Sequence, residues 1–186
     1  MIAYPLLSQT GRLGNQLWEI AATYGLAMDA DTEPRFPAWD YMPFYNVPER
    51  WFGDTTGCVD ALTLVPHLDP RAAPYLQDFG LFRAVAGNIR ALFQPSVMAH
   101  ELLWPIWDTG FANLSRPRIS VHVRRGDNVT HPPGYHPLRS PAYYREAAKL
   151  IDPGGSIVVF SDDPEWCKDN IESALQRDVA LFYEGV

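Results

Sequence analysis

The stretch SIVVFSDDPEWCK, residues 156–168, decides the fold class, because a continuous apolar run leads directly into a helix start. Such a run is typical of a strand that is buried on both faces of a parallel sheet. Asp163 and Pro164 form the helix start, with the carboxylate as cap and proline in the first turn. RISVHV (118–123) and VALFY (179–183) are also strand-like. The resulting β-α-β-α-β order predicts a parallel sheet in an α/β fold.

A second α/β unit is predicted at the start of the chain. The apolar run 2–7 predicts a first strand, and a polar loop with two glycines leads into a helix that extends to about Met28. Asn15 lies where a helix N-cap is expected. The segment 75–77, YLQ, is strand-like, and a helix is predicted after it.

Residues 31–74 are irregular and rich in proline and aromatic residues. Aromatic side chains are usually packing residues, so we expect a loop-rich layer of the core, with a surface for a partner or acceptor as the alternative. The sequence therefore predicts two α/β parts, residues 1–115 and residues 116–186.

Composition limits the class of protein. The chain has 186 residues with a net charge of −7, so an anionic ligand requires a local basic pocket, and a nucleic-acid binder is not expected. No apolar stretch is long enough to cross a membrane, and the first residues lack the pattern of a signal peptide. Two cysteines without metal-type spacing favour a reducing compartment. We expect a cytoplasmic protein.

Three polar clusters follow predicted strands, at the strand ends where open α/β sheets bind their ligands. The first is the loop GRLGNQ, residues 11–16, whose glycines permit close backbone approach and whose helix start favours an anion. A tight turn capped by Asn15 is the equally simple alternative. The loop lacks the Lys-Ser/Thr ending of a phosphate-binding Walker loop.

The second cluster is HVRRGD, residues 122–127. Strand alternation sends His122 and Arg124 to one face and Arg125 to the other. Adjacent arginines that leave a buried strand need an anion or a carboxylate, and a diphosphate meets that need through bidentate hydrogen bonds. An internal Arg–Asp pair is the alternative.

The third cluster is FSDD, residues 160–163. Asp163 is expected to cap the following helix, which leaves Asp162 to accept hydrogen bonds from a ribose or a purine. The two aspartates could instead hold Mg²⁺, which prefers oxygen ligands.

Five segments, in this order, resemble the family 11 fucosyltransferases, which include the α-1,2-fucosyltransferases. That family has G-x-L-G-N-Q before an aromatic-bearing helix, Y-L-Q, H-x-R-R-G-D, F-S-D-D before W-C-K, and F-x-E-G-N. In this chain they stand as GRLGNQ (11–16), YLQ (75–77), HVRRGD (122–127), FSDDPEWCK (160–168) and FYEGV (182–186).

The resemblance implies a GT-B-like fold with two Rossmann-type halves, an acceptor-side domain at 1–115 and a nucleotide-sugar donor domain at 116–186. It implies transfer of fucose from GDP-fucose to galactose on a glycan, with inversion and without a metal or other cofactor. The family continues past F-x-E-G-N with a Ser-rich segment, whereas this sequence ends at Val186. The donor half is therefore expected to be incomplete, and self-association is one way in which its sheet could close.

The resemblance also implies residue roles. Arg124 would hold the β-phosphate of GDP, where a fixed guanidinium stabilises the charge that develops as GDP departs. Arg125 would support it or pair internally. The resemblance does not identify the general base; Asp127 and His131 are candidates by proximity alone, and orientation of Arg124 is the alternative role for Asp127. The expected substrate-binding residues are Gly11, Arg12, Gly14, Asn15, Gln16, His122, Arg124, Arg125, Asp162 and Asp163.

Two other functions remain open from the sequence. A non-catalytic module that binds a GDP-sugar or a glycan is suggested by the short donor half. A metal-dependent phosphate-ester hydrolase is suggested by Asp162, Asp163 and the two arginines.

Overall fold

The chain is organised around two three-stranded parallel sheets in the residues that the computed structural model describes, namely 1–69, 71–115, 118–130, 137–151, 155–176 and 179–184. Each sheet lies in one of two units, Met1–Trp104 and Pro105–Val186. The expected α/β class is thereby confirmed. The assignment of an acceptor domain to 1–115 and a donor domain to 116–186 stays a prediction.

The sheet of the first unit is small. Its strands are β1 (Ile2–Ala3), β2 (Pro34–Arg35) and β3 (Val59–Asp60), which pair in the parallel order β2-β1-β3. The prediction of a strand over residues 2–7 was wrong in its extent. Pro5 has no N–H to continue the ladder, and the chain turns there.

Helix α1 (Leu13–Asp29) packs its buried face against the core of the first unit. Gly25 permits this packing, because a Cβ at this position would lie 2.1 Å from the carbonyl oxygen of Leu81. The helix begins one turn earlier than predicted. Arg12 occupies the N-cap, so the prediction of Asn15 as the cap was wrong.

The aromatic segment 31–74 forms a layer of the core, as predicted. Phe36, Trp39 and Trp51 are buried in one cluster with residues of α1. The strand expected at 75–77 is absent, because Leu76 adopts a left-handed conformation with φ 51° after a short 3-10 turn. Two helices follow, α2 (Ala86–Leu92) and α3 (Val97–Ile106).

The second unit has the predicted β-α-β-α-β order. Strands β4 (Arg118–Val123), β5 (Ser156–Ser161) and β6 (Val179–Glu184) are parallel and adjacent in the order β4-β5-β6. Helix α4 (Pro141–Ile151) connects β4 to β5, and helix α5 (Pro164–Leu175) connects β5 to β6. This topology is confirmed.

Helix α5 covers one face of this sheet. Val123 and Val159 from the strands pack against Cys167, Ile171 and Leu175 from the helix. In the register of β4 and β5, Val123 lies opposite Ser161, so both strands end at the same edge. The loops that carry HVRRGD and FSDD therefore leave the sheet side by side.

Candidate functional site

Arg124 follows the last residue of β4 and leaves the sheet on the exposed side. Its Nη2 donates to both carboxylate oxygens of Asp127, at 3.1 and 3.0 Å. The Arg124 side chain is 41% exposed and that of Asp127 is 33% exposed. The ion pair thus fixes one side of the guanidinium while much of the group faces solvent.

Arg125 turns to the opposite side, against α5. Its Nε donates to Oδ2 of Asp163 at 2.8 Å, and its guanidinium carbon lies 3.9 Å from the centre of the Trp166 ring. The side chain is 16% exposed. Arg125 is thus held by internal contacts. The alternative of an internal Arg–Asp pair is present at both arginines, with Asp127 at Arg124 and Asp163 at Arg125.

Asp162 binds the loop that follows β4, whereas Asp163 binds the first turn of helix α5. Oδ1 of Asp162 accepts the backbone N–H of Arg125 at 2.7 Å, which ties the two loops together. Oδ1 of Asp163 accepts the backbone N–H of Trp166 at 3.2 Å, so the predicted helix cap is present. A Cβ at Gly126 would lie 2.6 Å from Oδ2 of Asp162, so a side chain at this position would displace that carboxylate oxygen.

Ser161 completes the junction beneath these loops. Its hydroxyl donates to the carbonyl of Val123 at 2.8 Å and accepts the backbone N–H of Asp163 at 2.9 Å. The residue is 2% exposed. His122 lies on the other face of β4 from the buried Val123 and is exposed to solvent. This alternation follows the predicted pattern.

The GRLGNQ loop, residues 11–16, was predicted to precede α1, but from Leu13 onward it forms the first turn of that helix. It makes contacts that its sequence did not reveal. Gln16 is buried, and its Oε1 accepts the indole N–H of Trp39 at 2.8 Å. Asn15 is half-buried and accepts from Nε2 of Gln77 at 2.8 Å. The GRLGNQ and YLQ segments therefore meet within this unit, although 62 residues separate the bonded pair.

The remaining loop positions lie at the surface. Gly11, Arg12 and Gly14 are exposed, and Gly11 has φ 64°, a conformation that favours glycine. A Cβ at Gly14 would meet no described atom within 4 Å, so backbone approach from outside is unobstructed there.

Comparison with known families gives a match that lies in the second unit. Residues 108–185 match the family model described as glycosyl transferase family 11. This part of the chain is therefore similar to glycosyl transferase family 11. The match includes HVRRGD and FSDDPEWCK, so the resemblance to family 11 fucosyltransferases is confirmed and supports a glycosyltransferase of the fucosyltransferase type. A search of curated proteins gave no significant match.

A buried acid close to the GRLGNQ loop escaped the sequence analysis. Glu19 lies on the core side of α1, and its Oε1 accepts from the hydroxyl of Thr10 at 3.0 Å. Burial raises the pKa of Glu19 to about 7, and the Thr10 hydrogen bond lowers it in part. The signal was the helical spacing of the polar residues Gln16, Glu19 and Thr23, which are all buried.

The sequence also pointed to a second candidate base and to the motif FYEGV. His131, the second candidate base, and the last residues of the FYEGV motif lie outside the described residues.

A shallow depression of about 390 Å³ is lined by Met1, Met28, Asp31, Thr32 and Glu33. It adjoins the amino ends of β1 and β2 and contains no residue of the GRLGNQ, HVRRGD or FSDD clusters, so we assign it no role. None of the described helices is long and apolar enough to cross a membrane.

Proposed function

We propose that the protein transfers fucose from GDP-fucose to a galactose residue of a glycan, with inversion and without a metal. The observation that carries this proposal is the position of Arg124 within the family 11 segment. It follows a strand of a parallel sheet, at the edge where open α/β sheets bind ligands. Its exposed guanidinium suits a diphosphate, which arginine can bind in bidentate fashion.

Arg124 would act mainly in the transition state. When the bond from fucose to GDP breaks, negative charge grows on the β-phosphate, and a fixed cation stabilises this charge more than that of the ground state. Asp127 holds the guanidinium through two oxygens, which supports an orienting role for this carboxylate. We therefore propose Asp127 as the positioning residue of Arg124.

The guanosine part of the donor would lie beside Asp162 and His122. Asp162 uses Oδ1 for the N–H of Arg125, while Oδ2 has no hydrogen-bond partner among the described residues. That second oxygen can accept from a ribose hydroxyl or a base N–H. Arg125 and Asp163 form an ion pair with each other, so we propose that they stabilise the loop after β4 without contacting the nucleotide.

The GRLGNQ loop would serve the glycan acceptor. Gly11, Arg12 and Gly14 present backbone and a cation at the surface, and the Asn15–Gln77 pair adds amide groups that suit sugar hydroxyls. Gln16 is buried, so we propose that it positions the loop through Trp39 rather than contacting a sugar.

Calorimetry with GDP and with GDP-fucose tests the donor site. Arg124→Ala should weaken GDP affinity by about tenfold to a hundredfold, since a hydrogen bond to a charged group contributes about 1.5–3 kcal/mol. Arg145→Ala is the matched control, because Arg145 lies in the same unit, pairs with Glu146 and is 42% exposed. Equal affinity in both variants, or no binding by the wild type, would contradict the proposal.

A transfer assay separates catalysis from binding alone. Labelled fucose appearing on a galactoside acceptor would exclude the non-catalytic module, and GDP binding without transfer would favour it. The metal-dependent hydrolase is disfavoured by the geometry, because Asp162 and Asp163 both face Arg125. Across the described part of the chain, no three His, Cys, Asp or Glu residues form a group that could hold a metal.

A further inference from the structure

Glu19 is a fully buried carboxyl group without an ion pair among the described residues. The residue is 0% exposed, and its Oε2 has no hydrogen-bond partner there. Its Oε1 accepts a hydrogen bond from the hydroxyl of Thr10, at 3.0 Å. Since an isolated buried carboxylate is costly to keep charged, the neutral acid is the form that suits this position.

A chain of hydroxyl groups connects Glu19 to the turn before the GRLGNQ loop. The hydroxyl of Thr10 lies 3.4 Å from the carbonyl of Leu6 and 3.3 Å from the hydroxyl of Tyr4, which donates to the carbonyl of Pro74. If Glu19 carries a proton and donates it to Thr10, the Thr10 hydroxyl is free to donate to Leu6. If Glu19 is ionised, the Thr10 hydroxyl must donate to Glu19, so it can no longer donate to the carbonyl of Leu6.

Among the described residues, the charged and titratable groups around this region form no ion pair with Glu19. Tyr4 next to β1 has its pKa raised to about 12 by burial, and Glu19, Asp60 and Tyr75 raise it further by their charge. The one arginine of β2, Arg35, donates instead to the carbonyls of Arg50 and Asp54. Arg83, from the 3-10 turn packed on α1, stacks over Phe79.

We propose that Glu19 is the positioning residue of the GRLGNQ loop, that it works as an uncharged acid, and that opening of the loop releases its proton. The closed loop keeps the carboxyl dry and bonded to Thr10. The open loop admits water, so the carboxyl can ionise like an ordinary glutamic acid. This inference concerns the loop itself and does not depend on the ligand in the proposed function.

Proton linkage gives the sign of the effect. The pKa of Glu19 is about 7 in the closed protein and near 4.5 when solvated, so the closed state holds one more proton between these values. Closure is therefore strongest below about pH 4.5 and is weakened as pH rises towards 7. Loop opening should become up to about tenfold easier per pH unit in this window and level off above it.

Hydrogen exchange on the whole chain tests the proposal. The amide of Gln9 donates to the Leu6 carbonyl in the preceding turn, and the amides of Asn15 and Gln16 donate to the Arg12 carbonyl in the first turn of α1. Their protection factors, corrected for intrinsic exchange, should fall between pH 5 and 7 in the wild type. Glu19→Gln keeps the shape of the neutral acid, so its protection factors should not depend on pH. A flat wild-type profile, or an equal slope in the variant, would overturn the proposal.

A second measurement needs no variant. The ¹³C carboxyl resonance of Glu19 in the wild type should titrate near pH 7, while that of the exposed Glu146 serves as the internal reference. A midpoint for Glu19 in the range of ordinary glutamic acids would overturn the proposal even if Glu19→Gln failed to fold.

Discussion

Arg124 and Arg125 are neighbours in the chain, yet their surroundings differ completely. Alternation along β4 sends Arg124 to the exposed side and Arg125 towards α5, where Asp163 and Trp166 enclose it. One arginine is available to a ligand, and the other joins the β4 loop to a helix. Arg124 is therefore the candidate for ligand binding, whereas Arg125 contributes to the stability of the second unit.

The Arg125 side chain should matter for stability far more than that of Arg124. Arg125→Ala removes the ion pair with Asp163 and the contact with Trp166, so we expect a loss of about 2–3 kcal/mol in the free energy of unfolding. Arg125→Lys keeps the charge without the planar contact and should lose less. Arg124→Ala should cost below about 1 kcal/mol, as for exposed ion pairs. Urea denaturation measures all three, and similar losses at both positions would refute this division.

At the scale of elements, the start of α5 depends on one carboxylate that serves two partners. Asp163→Ser keeps an oxygen that can cap the N–H of Trp166 but is too short to reach Arg125. Asp163→Ala removes both contacts. We expect the alanine variant to be less stable than the serine variant by about 1 kcal/mol, the usual contribution of a helix cap. Urea denaturation with circular dichroism provides the comparison, and equal stability would show that the cap contributes nothing.

Helix α1 offers two glycines with opposite surroundings. Gly25→Ala places a Cβ 2.1 Å from the Leu81 carbonyl, so the helix must move away from that segment, at a cost of about 1–3 kcal/mol. Gly14→Ala meets no described atom within 4 Å and gains helix propensity, by up to about 1 kcal/mol. Thermal melting should therefore shift in opposite directions. A stabilised Gly25→Ala would contradict the close packing of α1.

At the scale of the molecule, the sequence predicted the second unit better than the first. Strands β4 to β6 are six residues long, with apolar runs and a Ser-Pro or Asp-Pro helix start between them, so local signals sufficed. The strands of the first unit have two residues each, which is too short for any periodicity. Its order depends on contacts between distant segments, such as Asn15 with Gln77, that no local pattern reveals.

The same distinction applies to the candidate site. Residue types and strand ends predicted the FSDD cap and the opposite directions of Arg124 and Arg125. The partners Trp166 for Arg125 and Trp39 for Gln16 come from chain packing and were not predictable. Glu19 was missed because a single acid on a helix is usually solvent-exposed, and only the tertiary structure determines that it is buried.

The two cysteines give a probe for each unit of the molecule. Cys58 is partly exposed in the first unit, whereas Cys167 is buried in the core of the second, where burial raises its thiol pKa. The reactive species is the thiolate, so Cys167 should be protected both by inaccessibility and by its neutral form. In native protein at pH 8, a thiol reagent should label Cys58 rapidly and Cys167 only as the second unit unfolds.

A Cys58→Ser variant leaves Cys167 as the single thiol, and its labelling rate then reports directly on the unfolding of the second unit. If GDP binds at Arg124, added GDP should slow this labelling, because a ligand that binds only the folded form stabilises it by mass action. Arg124→Ala should abolish the slowing and Arg145→Ala should retain it. Rapid labelling of Cys167 in native protein would contradict its burial, and slowing by GDP in the Arg124→Ala variant would move the nucleotide away from this arginine.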